Sequence, residues 1–318
     1  MREKLIEPTS ASLAVTLRCN SRCVICDIWK RKNRQELSPV IYKKLPQGLK
    51  NIDITGGEPF LRNDLVKIVE VVKKTCPKAR ILVTTNGSMP LKIAKTSQKM
   101  LKFDKNLAFR VSLDGIGKTH DKIRGVINSY KKTVETIRIL KELNVKDLGI
   151  IFTLSKLNQD ELPKVLDFCK QEKLQFSLNL VHSSPVYFGN KKTNLRPSLK
   201  EIEKNLGLVS KFFIPSLTPK NWAKAWFYKK IVEYVKTGKR TIRCGAGENF
   251  FYLDPFGDVY ICHFKDWKIG NLRKQSFEEI WQGDRKRKFL KLARKCHGCF
   301  MICTAKDEIK KQPFLILR

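Results

Sequence analysis

No apolar run in this sequence approaches the roughly 20 residues that a bilayer crossing demands; the longest, such as Leu148 to Leu154, fall far short. A membrane-spanning helix is therefore excluded. Residues Met1 to Ser10 include Glu3, Glu7 and Pro8 and lack the apolar core of a secretion signal, so a cytoplasmic location is expected. The sequence also lacks internal repeats and low-complexity segments. Acidic side chains are scarce, 30 Asp and Glu against 64 Lys and Arg in 318 residues, for a formal charge of +34. The basic residues are spread over nearly every expected helix and loop. Such dispersion fits solvated lysine-rich faces as well as it fits a nucleic-acid footprint, although any polyanion would be attracted.

Cysteine is plentiful. Ten cysteines without a secretion signal are poorly explained by disulfides, because a reducing cytosol keeps thiols free for metals or catalysis. Eight fall into two groups, Cys19, Cys23 and Cys26 near the start and Cys244, Cys262, Cys296, Cys299 and Cys303 near the end. Of the two others, Cys169 shares a helical stripe with Leu162, Val165 and Leu166 and is expected to be a buried helix-face residue. Cys76, just before Pro77 at a helix end, is read the same way.

Six strand-like runs recur: Ser12 to Leu17, Asn51 to Thr55, Arg80 to Thr85, Ala108 to Leu113, Leu148 to Leu154 and Leu174 to Val181. Helical stripes intervene, among them Leu65, Ile68, Val69 and Val72, and Val134, Ile137, Leu140 and Leu143. Alternation at this spacing predicts a parallel α/β sheet of right-handed crossovers. Periodicity alone leaves a doubly wound sheet and a barrel both open. Polar and glycine-rich residues cluster just after the strands, at Cys19, Gly56, Asn86, Ser112 and Ser155, which favours a partial (β/α)6 TIM-type barrel whose strand ends carry the site. From about Arg196 the pattern turns helical and aromatic-rich, and from about residue 241 it turns to short strands and cysteines. The expected organisation is a core over 1–195, a helical linker over 196–240 and a small C-terminal β-hairpin/helix cysteine-rich domain over 241–318. Phe250 to Cys262 predicts a hairpin turning at Asp254-Pro255-Phe256-Gly257, and Ser276 to Arg294 predicts a basic helix.

Cys19-Asn20-Ser21-Arg22-Cys23-Val24-Ile25-Cys26 puts three thiolates on one loop directly after the first strand. Three ligands cannot close a tetrahedral zinc site, whereas a 4Fe-4S cluster held by three cysteines keeps one iron open to a cofactor's amine and carboxylate. The second strand runs into Thr55-Gly56-Gly57-Glu58-Pro59. Thr84-Thr85-Asn86-Gly87 ends the third, Val111-Ser112-Leu113-Asp114-Gly115 ends the fourth, and His120-Asp121-Lys122-Ile123-Arg124-Gly125 follows. The CxxxCxxC spacing together with the GGEP motif resembles the radical S-adenosylmethionine (radical SAM) superfamily.

That resemblance implies a mechanism in which one electron passes from the cluster to the sulfonium and a 5′-deoxyadenosyl radical abstracts a substrate hydrogen. It assigns Cys19, Cys23 and Cys26 to the cluster and the backbone of Ile28 to the adenine. Gly56, Gly57, Glu58 and Pro59 go to the methionine end, and Ser112 and Arg124 to the ribose and carboxylate, where a guanidinium pairs as a fork. Asn86, Asp114 and Ser155 belong to the same cofactor set, and each could equally cap a helix or fix a turn. Cys244, Gly257, Cys262 and Cys296-His297-Gly298-Cys299 resemble the SPASM/twitch domain, whose shorter form holds one auxiliary 4Fe-4S cluster. Cys244, Cys262, Cys296 and Cys299 would be its ligands, with Cys303 a spare or alternative. Four such thiolates also satisfy structural zinc. His263 and His297, each beside a cysteine, are read as supporting or surface groups rather than ligands.

The family acts on peptides and on small metabolites, and the surplus of positive charge suggests that the substrate or its carrier is anionic. Examples are an acidic peptide, a phosphorylated intermediate or a membrane surface. A reductant such as flavodoxin or ferredoxin is implied. Only eleven residues precede the first strand, which weakens a leader-peptide-dependent maturase. The absence of a three-cysteine C-terminal frame with a long final gap disfavours a cyclase of the molybdenum-cofactor type. The rival from another class is a basic zinc or iron-sulfur nucleic-acid-binding protein without catalysis; it leaves GGEP, Ser112 and Arg124 unexplained.

Overall fold

The computed structural model describes residues 7–32, 34–190, 194–215 and 218–311. Six parallel strands form its centre: β1 (Ser10–Thr16), β2 (Asn51–Gly56), β3 (Arg80–Thr85), β4 (Ala108–Ser112), β5 (Asp147–Leu154) and β6 (Gln175–Leu180). They pair in chain order, with register fixed by the period-2 pattern: Ile52 and Ile54 of β2 are fully buried, while their neighbours Asn51 and Asp53 face the other way beside Ser10 and Ser12 of β1. The fold is the α/β partial TIM-type barrel favoured by the polar and glycine-rich residues clustered after the strands. The turn around the barrel runs through α1 (Leu65–Thr75), α2 (Pro90–Leu101), α3 (Lys118–Arg124), α4 (Ser129–Glu142) and α5 (Leu162–Gln171).

Helix α1 buries Leu65, Ile68, Val69 and Val72, the stripe read from sequence. Helix α4 departs from it. Thr133 and Thr136 are buried beside Ile137 and Leu140, and Val134 is only half-buried. The threonine hydroxyls donate to the carbonyls of Asn86 and Gly87, at 3.1 Å and 2.7 Å, so the face is chosen by the loop after β3. Cys169 is buried in α5, and Cys76, at the end of α1, donates its thiol to the Pro46 carbonyl at 3.4 Å.

Helices α6 (Leu199–Phe213) and α7 (Pro219–Thr237) form an antiparallel pair that covers the free edge of β6. The Leu178 N–H donates to the Tyr228 hydroxyl at 2.8 Å and Lys224 Nζ donates to the Phe176 carbonyl at 3.1 Å, so side chains occupy backbone groups that an edge strand otherwise leaves open.

The hairpin appears as β7 (Phe250–Leu253) and β8 (Asp258–Tyr260), turning through Gly257 at φ +96°. A third strand, β9 (Lys268–Asn271), completes an antiparallel meander that the sequence reading did not anticipate. Strand β7 pairs in parallel with β1, Ser10 opposite Phe250 through Leu13 opposite Leu253, so one nine-stranded sheet runs β6-β5-β4-β3-β2-β1-β7-β8-β9. The expected helix over Ser276 to Arg294 is two, α8 (Phe277–Gln282) and α9 (Asp284–Arg294), separated at Gly283. A Ser276–Glu279 capping box starts α8. Helix α10 (Ile302–Lys311) follows the last cysteines, and residues 312–318 of the expected C-terminal domain lie outside the described residues. Among the described residues no helix is long and apolar enough to cross a membrane.

Candidate active site

The loop carrying Cys19, Cys23 and Cys26 leaves β1 at its C-terminal end and docks on the last turn of α3: Arg22 N–H donates to the Arg124 carbonyl at 2.9 Å and Val24 N–H to that of Ile123 at 3.0 Å. Gly125 makes this approach possible. It sits at φ +63°, and a Cβ there would lie 2.4 Å from the Arg22 carbonyl oxygen. Asn20 fastens the loop from the other side, donating to Ser88 Oγ at 2.8 Å and accepting from Asn86 Nδ2 at 2.8 Å.

The GGEP segment abuts the same loop. Gly57 N–H donates to the Thr16 carbonyl and Glu58 N–H to that of Arg18, both at 2.8 Å, and a Gly57 Cβ would lie 2.1 Å from the Arg18 oxygen. The glycine is thus required by the backbone that delivers Cys19. Pro59 opens a short 3-10 turn capped by Glu58. The Glu58 carboxylate is fully buried and accepts from Phe60 N, Thr85 Oγ1 and Asn86 N at 3.1, 2.9 and 2.7 Å. Burial pushes its pKa up to about 7 despite those donors. It ties the ends of β2 and β3 together.

Arg124 stands between the loop and β4. Its Nη2 lies 2.7 Å from the fully buried Asp114 carboxylate and its Nη1 lies 3.8 Å from Cys23 Sγ, while Nε is buried without a partner. Burial works against the guanidinium's charge, yet Asp114 and Cys23 hold it firmly protonated. Asp114 also accepts from Thr153 N at 2.7 Å, and its N–H donates to His120 Nδ1 at 3.1 Å. That makes Nδ1 the acceptor nitrogen, and burial drops His120 to about 3, so the ring is neutral. Ser155 N and Oγ both donate to Asn158 Oδ1, at 2.8 and 3.0 Å, and Asn158 Nδ2 donates to the Asp114 and Thr153 carbonyls, each at 3.0 Å. Ser112 ends β4 half-exposed, and Ile28 is buried in a 3-10 turn after Cys26. The structure therefore gathers Cys19, Cys23, Cys26, Glu58, Asn86, Asp114 and Arg124 around one loop, and sets Ser155 behind Asp114.

Asn20, Asn158 and Tyr187 were not singled out by sequence. Tyr187, whose hydroxyl is 2.6 Å from Thr55 Oγ1, comes from the segment after β6, where no pattern flags it. Asn20 lies inside the cysteine motif, which was the available signal.

Three soft, partly exposed sulfur donors on one loop fit a cluster held by three thiolates. Two of them already receive polar contacts, Cys23 from Arg124 and Cys19 from Asn86 Nδ2 at 3.9 Å. In the C-terminal module Cys262 Sγ accepts from Phe264 N at 3.2 Å and Cys296 Sγ from Gly298 N at 3.4 Å. Cys299 is pushed far up by burial and by the neighbouring Cys262, Cys244 and Cys296, and Cys303 is pushed up by burial and by Cys299, Cys262 and Cys244, so the five thiols form one electrostatic group. Arg240 holds their loop, donating to the Cys299 carbonyl at 2.7 Å. Cys303, on the first turn of α10, packs with Ala14, Val186, Phe250 and Tyr252. Among the described residues no three His, Cys, Asp or Glu side chains are grouped so as to hold a metal ion. The thiols of each set sense one another electrostatically. His263 is buried among Tyr187, Phe250 and Phe264, and His297 Nδ1 accepts from Arg240 N at 3.1 Å.

Comparison with known proteins agrees with this geometry. Residues 13–169 match the family model described as the radical SAM superfamily, and residues 244–300 match that of an iron-sulfur cluster-binding domain, SPASM. The chain is 24% identical to the pre-heme d1 synthase of Dinoroseobacter shibae, over 90% of this chain and 77% of that protein. It is 28% identical to a probable GTP 3′,8-cyclase of Metallosphaera sedula, over 81% and 82%. The structure of anSMEcpe with bound AdoMet and a Cp18Cys peptide is similar in fold, with a TM-score of 0.65 at 19% identity over 93% of this chain and 88% of that one. With the cysteine loop, the GGEP turn and the C-terminal cysteine module each in place, the chain belongs to the radical SAM superfamily with a SPASM-type domain, a family of enzymes that use 4Fe-4S clusters and S-adenosylmethionine.

Proposed function

We propose that this chain reductively cleaves S-adenosylmethionine and uses the resulting radical to oxidise or otherwise modify a peptide or small metabolite. The observation that carries the reading is the docking of the Cys19–Cys26 loop between Gly57 and the Arg124 end of α3, with a guanidinium beside Cys23. When bound, the cluster and S-adenosylmethionine supply the electron and the 5′-deoxyadenosyl radical that takes a substrate hydrogen.

The residues of the chain prepare that event. Cys19, Cys23 and Cys26 would hold the cluster by three of its irons, leaving the fourth iron open to the methionine amine and carboxylate. Arg124 is held charged by Asp114, and its unpaired Nε is the donor left for that carboxylate. Glu58 and Asn86 fix the loops that face the methionine end, Ser112 takes the ribose, Ile28 the adenine, and Ser155 with Asn158 sets the position of Asp114. Cys244, Cys262, Cys296 and Cys299 hold the auxiliary cluster; Cys303 lies nearby as a spare or alternative ligand. The match of this module to an iron-sulfur cluster-binding domain, on the same chain as the radical SAM core, supports a cluster over zinc. A small one-electron carrier such as flavodoxin or ferredoxin serves as reductant. A peptide substrate draws support from the peptide in the anSMEcpe structure.

The test is direct. Anaerobically reconstituted protein with a strong reductant releases 5′-deoxyadenosine, and Cys26→Ala abolishes that release, because two thiolates do not retain the cluster. Undiminished release by the variant overturns the reading.

A further inference from the structure

The loop that carries Cys19, Cys23 and Cys26 has a face turned to solvent. Val24, joined directly to Cys23, is 51% exposed, and Ile127, just beyond α3, is 84% exposed, the highest value for a large apolar side chain among the described residues. The two belong to one surface. Residues 22–24 run along the end of α3, bonded through Arg22 and Val24 N–H, and a Cβ on Gly125 would lie 3.0 Å from that of Arg22. Trp29 adds a half-buried ring, with the Arg22 guanidinium 4.9 Å and the Lys30 ammonium 5.1 Å from its centre. Exposed apolar side chains are ordinary when scattered singly, but a group of them beside a cluster ligand marks a contact surface. A patch this small suits a transient partner rather than a permanent subunit.

The rim of the patch is basic. Residues 18–34 carry six Lys and Arg against Asp27 alone, and Asp27 pairs with Lys30 at 2.7 Å. Arg22 Nη1 donates to the carbonyls of Cys19 and Ser21, at 2.9 and 3.2 Å, neither of which offsets its charge. Across the patch Lys118, Lys122, Lys131 and Lys132 are exposed. The acid among them, Asp121, is turned onto the backbone N–H groups of Asn128 and Tyr130, at 2.9 and 2.7 Å. An apolar centre in a basic rim complements a protein that carries an apolar centre in an acidic rim. Nucleic acid would meet the same cations, but its phosphates gain nothing from Val24 and Ile127.

We infer that the surface formed by Arg22, Val24, Trp29, Lys122 and Ile127 docks the acidic one-electron carrier that reduces the core cluster. In that step the carrier is oxidised and the cluster reduced by one electron, and no bond or proton moves. A carrier seated here stands one residue from Cys23. The electron-transfer role rests on the cluster chemistry proposed above, whereas the docking does not.

Calorimetry on the cluster-loaded full chain tests the docking, with a plant-type ferredoxin and a flavodoxin as the acidic probes, in about 50 and 200 mM salt. Val24→Asp and Ile127→Asp are each expected to weaken the tighter-binding carrier at least tenfold, because each sets an acid against an acidic partner and removes an apolar contact. Lys122→Glu is expected to weaken it strongly at the lower salt and less at the higher. Leu292→Asp and Lys288→Glu, matched changes on the exposed face of α9, should leave the affinity within about twofold. Iron content is measured for every variant; Ile127, outside the cysteine loop, decides the matter if Val24→Asp loses iron. No binding of either carrier, binding indifferent to Ile127→Asp, or equal weakening by the α9 changes overturns the surface. So does an Ile127→Asp variant that keeps its carrier affinity and loses binding to single-stranded RNA. Release of 5′-deoxyadenosine is followed in parallel. With dithionite as reductant it should be unchanged in Ile127→Asp, whereas with the reduced carrier it should fall in step with affinity. Release with dithionite but no carrier binding sinks the surface alone, and carrier binding without release under either reductant sinks the catalytic reading alone.

Discussion

At the scale of single residues, the cofactor side of the barrel is organised by groups that touch no cofactor. His120 is the clearest case. Its neutral ring accepts from Asp114 N and meets the Ser129 and Thr133 hydroxyls, at 3.3 and 3.5 Å, so protonation would disrupt the support of the Asp114–Arg124 pair. Its pKa in the folded protein, about 3, lies below the ordinary 6.5. The unfolded chain therefore takes up a proton first, and this group's contribution is complete above pH 6.5 and is lost as pH falls below it. His120→Asn, whose Oδ1 can take the place of Nδ1, removes that slope. Between pH 7 and pH 5 the wild type should lose about 2 kcal/mol more than the variant by denaturant titration. Parallel curves would show that His120 is not buried neutral. Gly57 makes a second prediction. A methyl group 2.1 Å from the Arg18 carbonyl must displace the backbone that precedes Cys19, so Gly57→Ala should cut iron from about eight atoms per chain to about four while sparing the auxiliary cluster. Full iron content would contradict this account of the glycine.

At the scale of elements, what could be read from sequence was what repeats. Strands β2, β3, β5 and β6 alternate in burial, β1 and β4 are buried almost throughout, and α1 carries a continuous apolar stripe, so these elements were visible as apolar runs of five to eight residues and one helical stripe. Strand β9 has four residues and no alternation, and Gly283 breaks a helical pattern without disturbing its composition. Neither could be seen in advance. The cysteine motif was legible, but its mooring was not, because Arg22 meets Arg124 and Asn20 meets Ser88 across long stretches of chain. Glu58 illustrates the same limit: the motif marks it, while its partners Thr85 and Asn86 arrive on another strand. The edge of β6 is also closed by tertiary contact. Tyr228→Phe leaves the buried Leu178 N–H without its acceptor and should cost about 1–3 kcal/mol in denaturant unfolding. A loss within error would mean that the hydroxyl is not what closes this edge.

At the scale of the whole molecule, two cysteine sets share one sheet yet draw on separate ligands. The variant Cys19→Ala/Cys23→Ala/Cys26→Ala should accordingly retain about four iron atoms, as one cluster, by metal analysis. Adding Cys262→Ala should remove them, and adding Cys303→Ala should not. Zinc in place of that iron would identify the module as a structural zinc site. Only a few of the cations behind the +34 charge meet either set, among them Arg22 and Arg124 at the first and Arg240 at the second.

The pairing of β7 with β1 sets an order of events during synthesis. Thr9 and its partner Asn249 are 240 residues apart, so the ribosome finishes β1 long before β7 exists. At roughly 5–20 residues per second, one side of β1 waits on the order of 10–50 seconds for its neighbour. During that interval the nascent barrel presents an open strand edge beside the loop that must later accept iron. A chaperone that shields this edge would protect the growing chain from aggregation, and delivery of iron to Cys19, Cys23 and Cys26 before translation ends would load the core site ahead of the module.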